Sequence, residues 1–103
     1  MKLPRTVTIG GIMFKVVVAP IDDGDFGRMY FDDRKLAIDP RCLKDKTLLR
    51  ETIRHEMWHA STHVSGVAYM EKYDEESIAR MMETIFFPAW DRVSSKLNMY
   101  ENK

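Results

Sequence analysis

The sequence predicts an α+β fold: a small N-terminal antiparallel sheet of two hairpins, packed on two helices that occupy the second half of the chain. Three observations carry this. Residues 6–39 alternate apolar and polar side chains with Gly-Gly and Pro as punctuation, residues 46–65 carry apolar side chains at helical spacing, and residues 74–87 repeat that spacing up to a proline. At 103 residues the chain makes a single domain, 1–103, with a modest core.

The first hairpin is written in "RTVTIGGIMFKVVVAP". Val7 and Ile9 alternate before Gly10-Gly11, and Ile12, Phe14, Val16 and Val18 alternate after it. Two glycines between period-two runs supply the positive φ that a tight hairpin turn needs. Pro20 ends the strand, and "IDDGDFG" reads as a polar loop. "RMYFDDRKLAID" is the second hairpin, with Asp33-Arg34 at its turn, Leu36 and Ile38 on one face, and Pro40 as its stop. The basic stretch Arg41–Lys46 is interrupted by Cys42, Leu43 and Asp45 and reads as a solvated loop.

The first helix starts at Asp45 or Thr47, either of which can cap free backbone N–H groups. Leu49, Ile53, Met57, Ala60 and Val64 form its core stripe, and Gly66 ends it in a left-handed conformation. Asp74 caps the second helix, in which Ile78, Met82, Ile85 and Ala89 share one face. Pro88 is expected to kink or break it, with "AWDRVSSKLNMY" as a C-terminal extension.

Composition excludes several functions. Sixteen basic and sixteen acidic residues leave no net charge, which argues against nucleic-acid binding, since phosphate neutralisation needs a clustered positive excess. No apolar run reaches membrane-spanning length, and "MKLPRTVTIGG" lacks the apolar core of a secretory signal, so the expected compartment is the cytoplasm. A lone cysteine, Cys42, forms neither an internal disulfide nor a thiolate cluster. The sequence specifies no oligomeric state, although Trp90 and Tyr100 are aromatics available for self-association.

Chemistry concentrates in "LRETIRHEMWHAST", which contains His55-Glu56-Met57-Trp58-His59. Residues four apart on a helix point the same way, so His55 and His59 can place both imidazoles on one Zn2+. Glu56, beside the first ligand, can take a proton from water without ligating the ion. Thr52, His55, His59 and His63 form a line along the edge of the core stripe. A third protein ligand is required. His63, eight residues after His55, lies about 12 Å along the axis and is better placed at the rim of a cleft. Among the carboxylates, Glu75 and Glu76 open the second helix. Phase favours Glu75, which precedes Ile78 by three and Met82 by seven, over Glu76, which is rotated towards Arg80 and Glu83. Glu71 and Glu83 are less favourable. The expected metal ligands are therefore His55, His59 and Glu75, with Glu56 as the catalytic base.

With these residues in view the chain resembles the gluzincin metallopeptidases. The strand-hairpin-helix-helix order, "VTIGGIMFKVVV", "KLAID", "ETIRHEMWHAS", "DEESIARMM", is similar to the compact ImmA/IrrE-like group and its small phage-encoded relatives. The resemblance spans most of residues 7–90. It implies a minimal zincin-like fold, a zinc cofactor, and hydrolysis of a protein or peptide substrate in the cytoplasm of a bacterial or phage-infected cell. Trp58 departs from the pattern, which usually has a small or aliphatic residue before the second histidine. His63, Tyr69 and Tyr73 are expected near the cleft, and an extended substrate is expected to add to the strand edge at 36–39. The competing expectation is a non-catalytic domain that zinc staples and whose surface binds a protein.

Overall fold

The computed structural model describes residues 3–72 and 74–99. Strands β1 (Thr6–Ile9), β2 (Ile12–Val18), β3 (Gly27–Tyr30) and β4 (Lys35–Ile38) make one sheet in the order β1-β2-β4-β3. Helix α1 (Lys46–Ser65) follows. Then α2 (Glu75–Met81), a π-helical stretch (Met82–Phe86) and α3 (Phe87–Leu97) run on as one rod. The coarse class is as expected: a small four-stranded sheet with its helices packed on one face.

Both hairpins form. Ile9 pairs with Ile12 across Gly10 (φ 58°) and Gly11 (φ 80°), the doubly positive turn that matches the twist of the strands. Gly10 is doubly constrained, because a Cβ there would sit 2.6 Å from Cγ1 of Val64. The second turn closes through Arg34, whose N–H donates to the Phe31 carbonyl at 3.2 Å.

The expectation of a purely antiparallel sheet is corrected: β2 and β4 pair in parallel, with Val16 opposite Leu36 and Val18 opposite Ile38. Turn chemistry fixes pairing inside each hairpin, but the way two hairpins join is decided by burial. Leu36, Ala37 and Ile38 are all buried, so β4 takes the interior position, and β3, with no fully buried residue, is left on the edge. The strand edge expected at 36–39 is therefore inside the sheet.

Between sheet and helices lies the core, with Ile9, Phe14, Leu36 and Ile38 against Leu49, Ile53, Met57 and Ala60 of α1 and Ala89, Val93 and Leu97 of α3. Asp45 caps α1 by accepting from the Leu48 N–H at 3.1 Å, and Gly66 (φ 86°) ends it. Residues 40–44 form a 3-10 turn rather than a free loop, and Cys42 is fully buried within it. Asp39 holds that turn. Its carboxylate accepts from the N–H of Ile21 and of Arg41 and pairs with the Arg41 guanidinium at 2.9 Å. These donors and the positive charge hold Asp39 down at about 2.

Pro88 neither breaks nor ends the second helix. Its ring lacks an N–H and crowds the carbonyl one turn back, and the wider π-helical turn immediately before it absorbs both effects while φ and ψ stay helical. Trp90, considered for self-association, carries the guanidinium groups of Arg50 and Arg54 over its ring. Tyr100 lies outside the described residues. No described helix is long and apolar enough to cross a membrane.

Candidate functional site

Helix α1 sets the site by its own periodicity. Its apolar stripe is buried in the core, and the adjoining line Thr52, His55, His59 and His63 opens into a cleft of about 680 Å³. The opposite wall comes from Asp25 to Met29 and Phe31, that is, from edge strand β3 and its flanks.

His55 and His59 are both solvent-exposed, and their Nε2 atoms lie 3.1 Å apart, with the rings at 83° to each other. A tetrahedral ion bound at 2.0–2.1 Å by two imidazoles sets their nitrogens about 3.3 Å apart. The side chains thus converge as a metal-binding pair does. The same spacing accommodates one Nε2–H···Nε2 hydrogen bond.

Glu56 is only 9 % exposed, although it lines the same cleft. Burial pushes its carboxyl group above the ordinary value, the two histidines pull it down, Asp25 pushes it up, and the Met29 backbone N–H pulls it down. Gly27 makes this placement feasible. A Cβ there would lie 2.6 Å from Cγ2 of Thr52 and 3.1 Å from Cγ of Glu56, so only glycine lets β3 approach α1 this closely. Sequence reasoning missed Gly27. The available signal was a glycine opening a strand, where backbone closeness is a common reason for it.

Glu75 does not join the pair. It is exposed on the first turn of α2 and does not line the cleft, and among the described residues no three His, Cys, Asp or Glu side chains gather where one metal ion could sit. The expected contrast with Glu76 does not form, since both glutamates are exposed. The correction is one of position along the rod. The buried residues of the rod begin at Met81, so its first turn projects beyond the core. What the rod presents beside His55 is apolar: Met82 and Phe86 line a second groove, with Glu51, Arg54, His55 and Trp58.

His63 lines the far end of the cleft. It stacks on Phe31 with centroids 4.0 Å apart and planes 12° from parallel, and its Nδ1 lies 2.7 Å from the Tyr69 hydroxyl. Tyr69 is 70 % exposed. Tyr73, also expected near the cleft, lies outside the described residues.

Comparison with protein-family models, with curated proteins and with solved structures returned no match.

Proposed function

We propose that this chain is a compact zincin-like metallopeptidase that hydrolyses peptide bonds, with His55 and His59 holding Zn2+ and Glu56 as general base. One observation carries the reading: two imidazole nitrogens converge at 3.1 Å beside a buried carboxylate in a cleft walled by an edge strand. The donor set fits two of the three protein ligands of a catalytic zinc. The third is not Glu75 as placed here.

Zinc bound to such a pair supplies water activation and carbonyl polarisation. The chain's own residues do the rest. The substrate backbone adds to β3, whose outer edge is unpaired in the sheet order and which lines the cleft. The Glu56 carboxylate, nearly enclosed beside the histidine pair, would take a proton from the attacking water and hand it to the leaving amine. The close approach of β3 at Gly27 restricts the Glu56 side chain. The substrate is a protein or peptide of the cytoplasm.

The second reading, a zinc-stapled domain that binds a peptide without cutting it, draws support from the incomplete ligand set. Glu56→Gln separates the two. On the peptidase reading it keeps zinc and loses about 100-fold or more in cleavage rate on a mixed peptide library. Undiminished cleavage by that variant rules out Glu56 as base. A wild-type chain that binds zinc and melts higher with it, yet cuts no peptide, is the stapled domain.

A further inference from the structure

The helices pack on one face of the sheet, and the opposite face has a chemistry of its own. Its side chains alternate along the strands with the buried Val7, Phe14 and Leu36. Register aligns Thr6 with Lys15, Lys15 with Lys35, and Lys35 with Tyr30, so these four stand in one row across all four strands. Thr6, Lys15 and Tyr30 are exposed, and Lys35 is half-buried. At the usual spacing between strands the row is about 14 Å long.

The row is one-sided in charge. None of the residues in the four strands is acidic. Lys15 and Lys35 stand directly opposite each other, an arrangement that destabilises a sheet, and among the described residues neither pairs with a carboxylate. Arg28, on the same face, differs: Asp25 and Asp23 hold its guanidinium at 3.2 and 3.9 Å. Arg34 adds a third unpaired cation among the described residues, and its carbonyl accepts from the Lys15 N–H at 2.8 Å. Asp32 and Asp33 lie beyond it in the β3–β4 turn. The Tyr30 ring ends the row, with the Lys35 ammonium 4.9 Å from its centroid. Charge balances over the whole chain, but not along this row.

Such a row lacks an anion, and the aromatic at its end indicates which kind. A peptide docks on a sheet through an edge. A single strand of nucleic acid lies across the face, with its phosphates on basic side chains and a base on an aromatic ring. We propose that this face binds single-stranded nucleic acid: Lys15, Lys35 and Arg34 neutralise phosphates, and Tyr30 stacks on a base. The bound phosphates relieve the repulsion between the two opposed lysines. The assignment does not draw on the histidine pair and stands whether or not that pair binds a metal.

Fluorescence anisotropy of the full chain with labelled oligouridine and oligothymidine tests it. With about three phosphates neutralised, affinity for either strand should fall roughly 20-fold between about 50 and 200 mM salt. Lys15→Gln and Lys35→Gln should each weaken binding about fivefold at roughly 100 mM salt and flatten the salt dependence. Lys96→Gln, the same change of charge placed on α3, should leave affinity as in wild type. Tyr30→Ala should lose at least about fivefold and Tyr30→Phe should keep most of the affinity, since stacking needs only the ring. A preference between the two strands names the sugar and supports the assignment. No binding at low salt overturns it, as do equal losses in Lys96→Gln and the two strand variants, or wild-type affinity in Tyr30→Ala. Equal affinity for a duplex also overturns it, because paired bases offer Tyr30 nothing to stack on. Tighter binding to polyglutamate or to phosphatidylglycerol vesicles would make the face a site for an acidic protein or a membrane instead.

Discussion

On the β3 side of the histidine pair the floor of the cleft is packed to contact at Gly27, whereas the α2 side is lined by the partly exposed Trp58 and Met82. Gly27 brings a strand backbone onto Thr52 and Glu56, and Glu56 is nearly enclosed. Across the ridge, Trp58 stands in solvent, Glu75 lies exposed beyond the core, and a π-helical turn is tolerated. The difference follows from how each wall is held. Strand β3 is anchored by hydrogen bonds to β4 and by the Asp39–Arg41 network beneath its loop, in which Arg41 also reaches the carbonyls of Gly24 and Asp25. The first turn of α2 is capped by Asp74, whose carboxylate accepts from the Glu76 N–H and the Ser77 hydroxyl, a bond set local to the helix end. Glu56 sits on the more tightly held side, and the apolar wall on the less tightly held one.

The sharpest way to break this contrast is at Gly27. Gly27→Val should cost about 1–3 kcal/mol through forced displacement of Thr52 and Glu56. Ala79→Val, exposed on α2, should stay within about 0.5 kcal/mol, as surface substitutions do. Urea titration of both variants checks the pair, and equal losses would show that the β3 wall is no tighter than the α2 wall.

The anchor beneath β3 predicts a pH signature. Asp39 is depressed from 3.8 to about 2, so its contribution is fully present above the unfolded value and is lost as pH falls through that window towards 2. Thermal melts between pH 5 and 2 should fall more steeply for wild type than for Asp39→Asn, which is less stable at pH 5 and has less left to lose. Parallel curves would remove Asp39 as the acid-sensitive anchor.

The smallest expected effect is the most telling for the α2 side. Glu75→Gln should leave zinc affinity within about threefold of wild type, because the carboxylate lies apart from the histidines. A loss of 10–100-fold, roughly the least that removing a metal ligand or its supporting group costs, would mean that α2 shifts to bring Glu75 in when metal binds.

What was legible in the sequence was local. Gly10-Gly11 set a turn through its own φ values, Asp45 and Gly66 bracketed α1, and His55 and His59 converged because four residues make one helical turn. What was not legible depends on distant segments meeting. Which of β3 and β4 sits inside the sheet was settled by burial of Leu36, Ala37 and Ile38 on both faces. That the core begins only at Met81, leaving Glu75 exposed along with Glu76, was not readable from the spacing of Glu75 to Ile78 and Met82. Pro88 announced a disturbance, and only the packed helix shows it taken up as a π-helical turn rather than a break.

The central claim is that the imidazoles of residues 55 and 59 share one divalent cation. Anomalous diffraction at the zinc edge, on crystals of the zinc-loaded chain, tests it directly. A single peak about 2.0–2.1 Å from both Nε2 atoms is the predicted result, with its remaining neighbours naming the third donor. A chain that retains no zinc, or a peak bonded to neither ring, would contradict it.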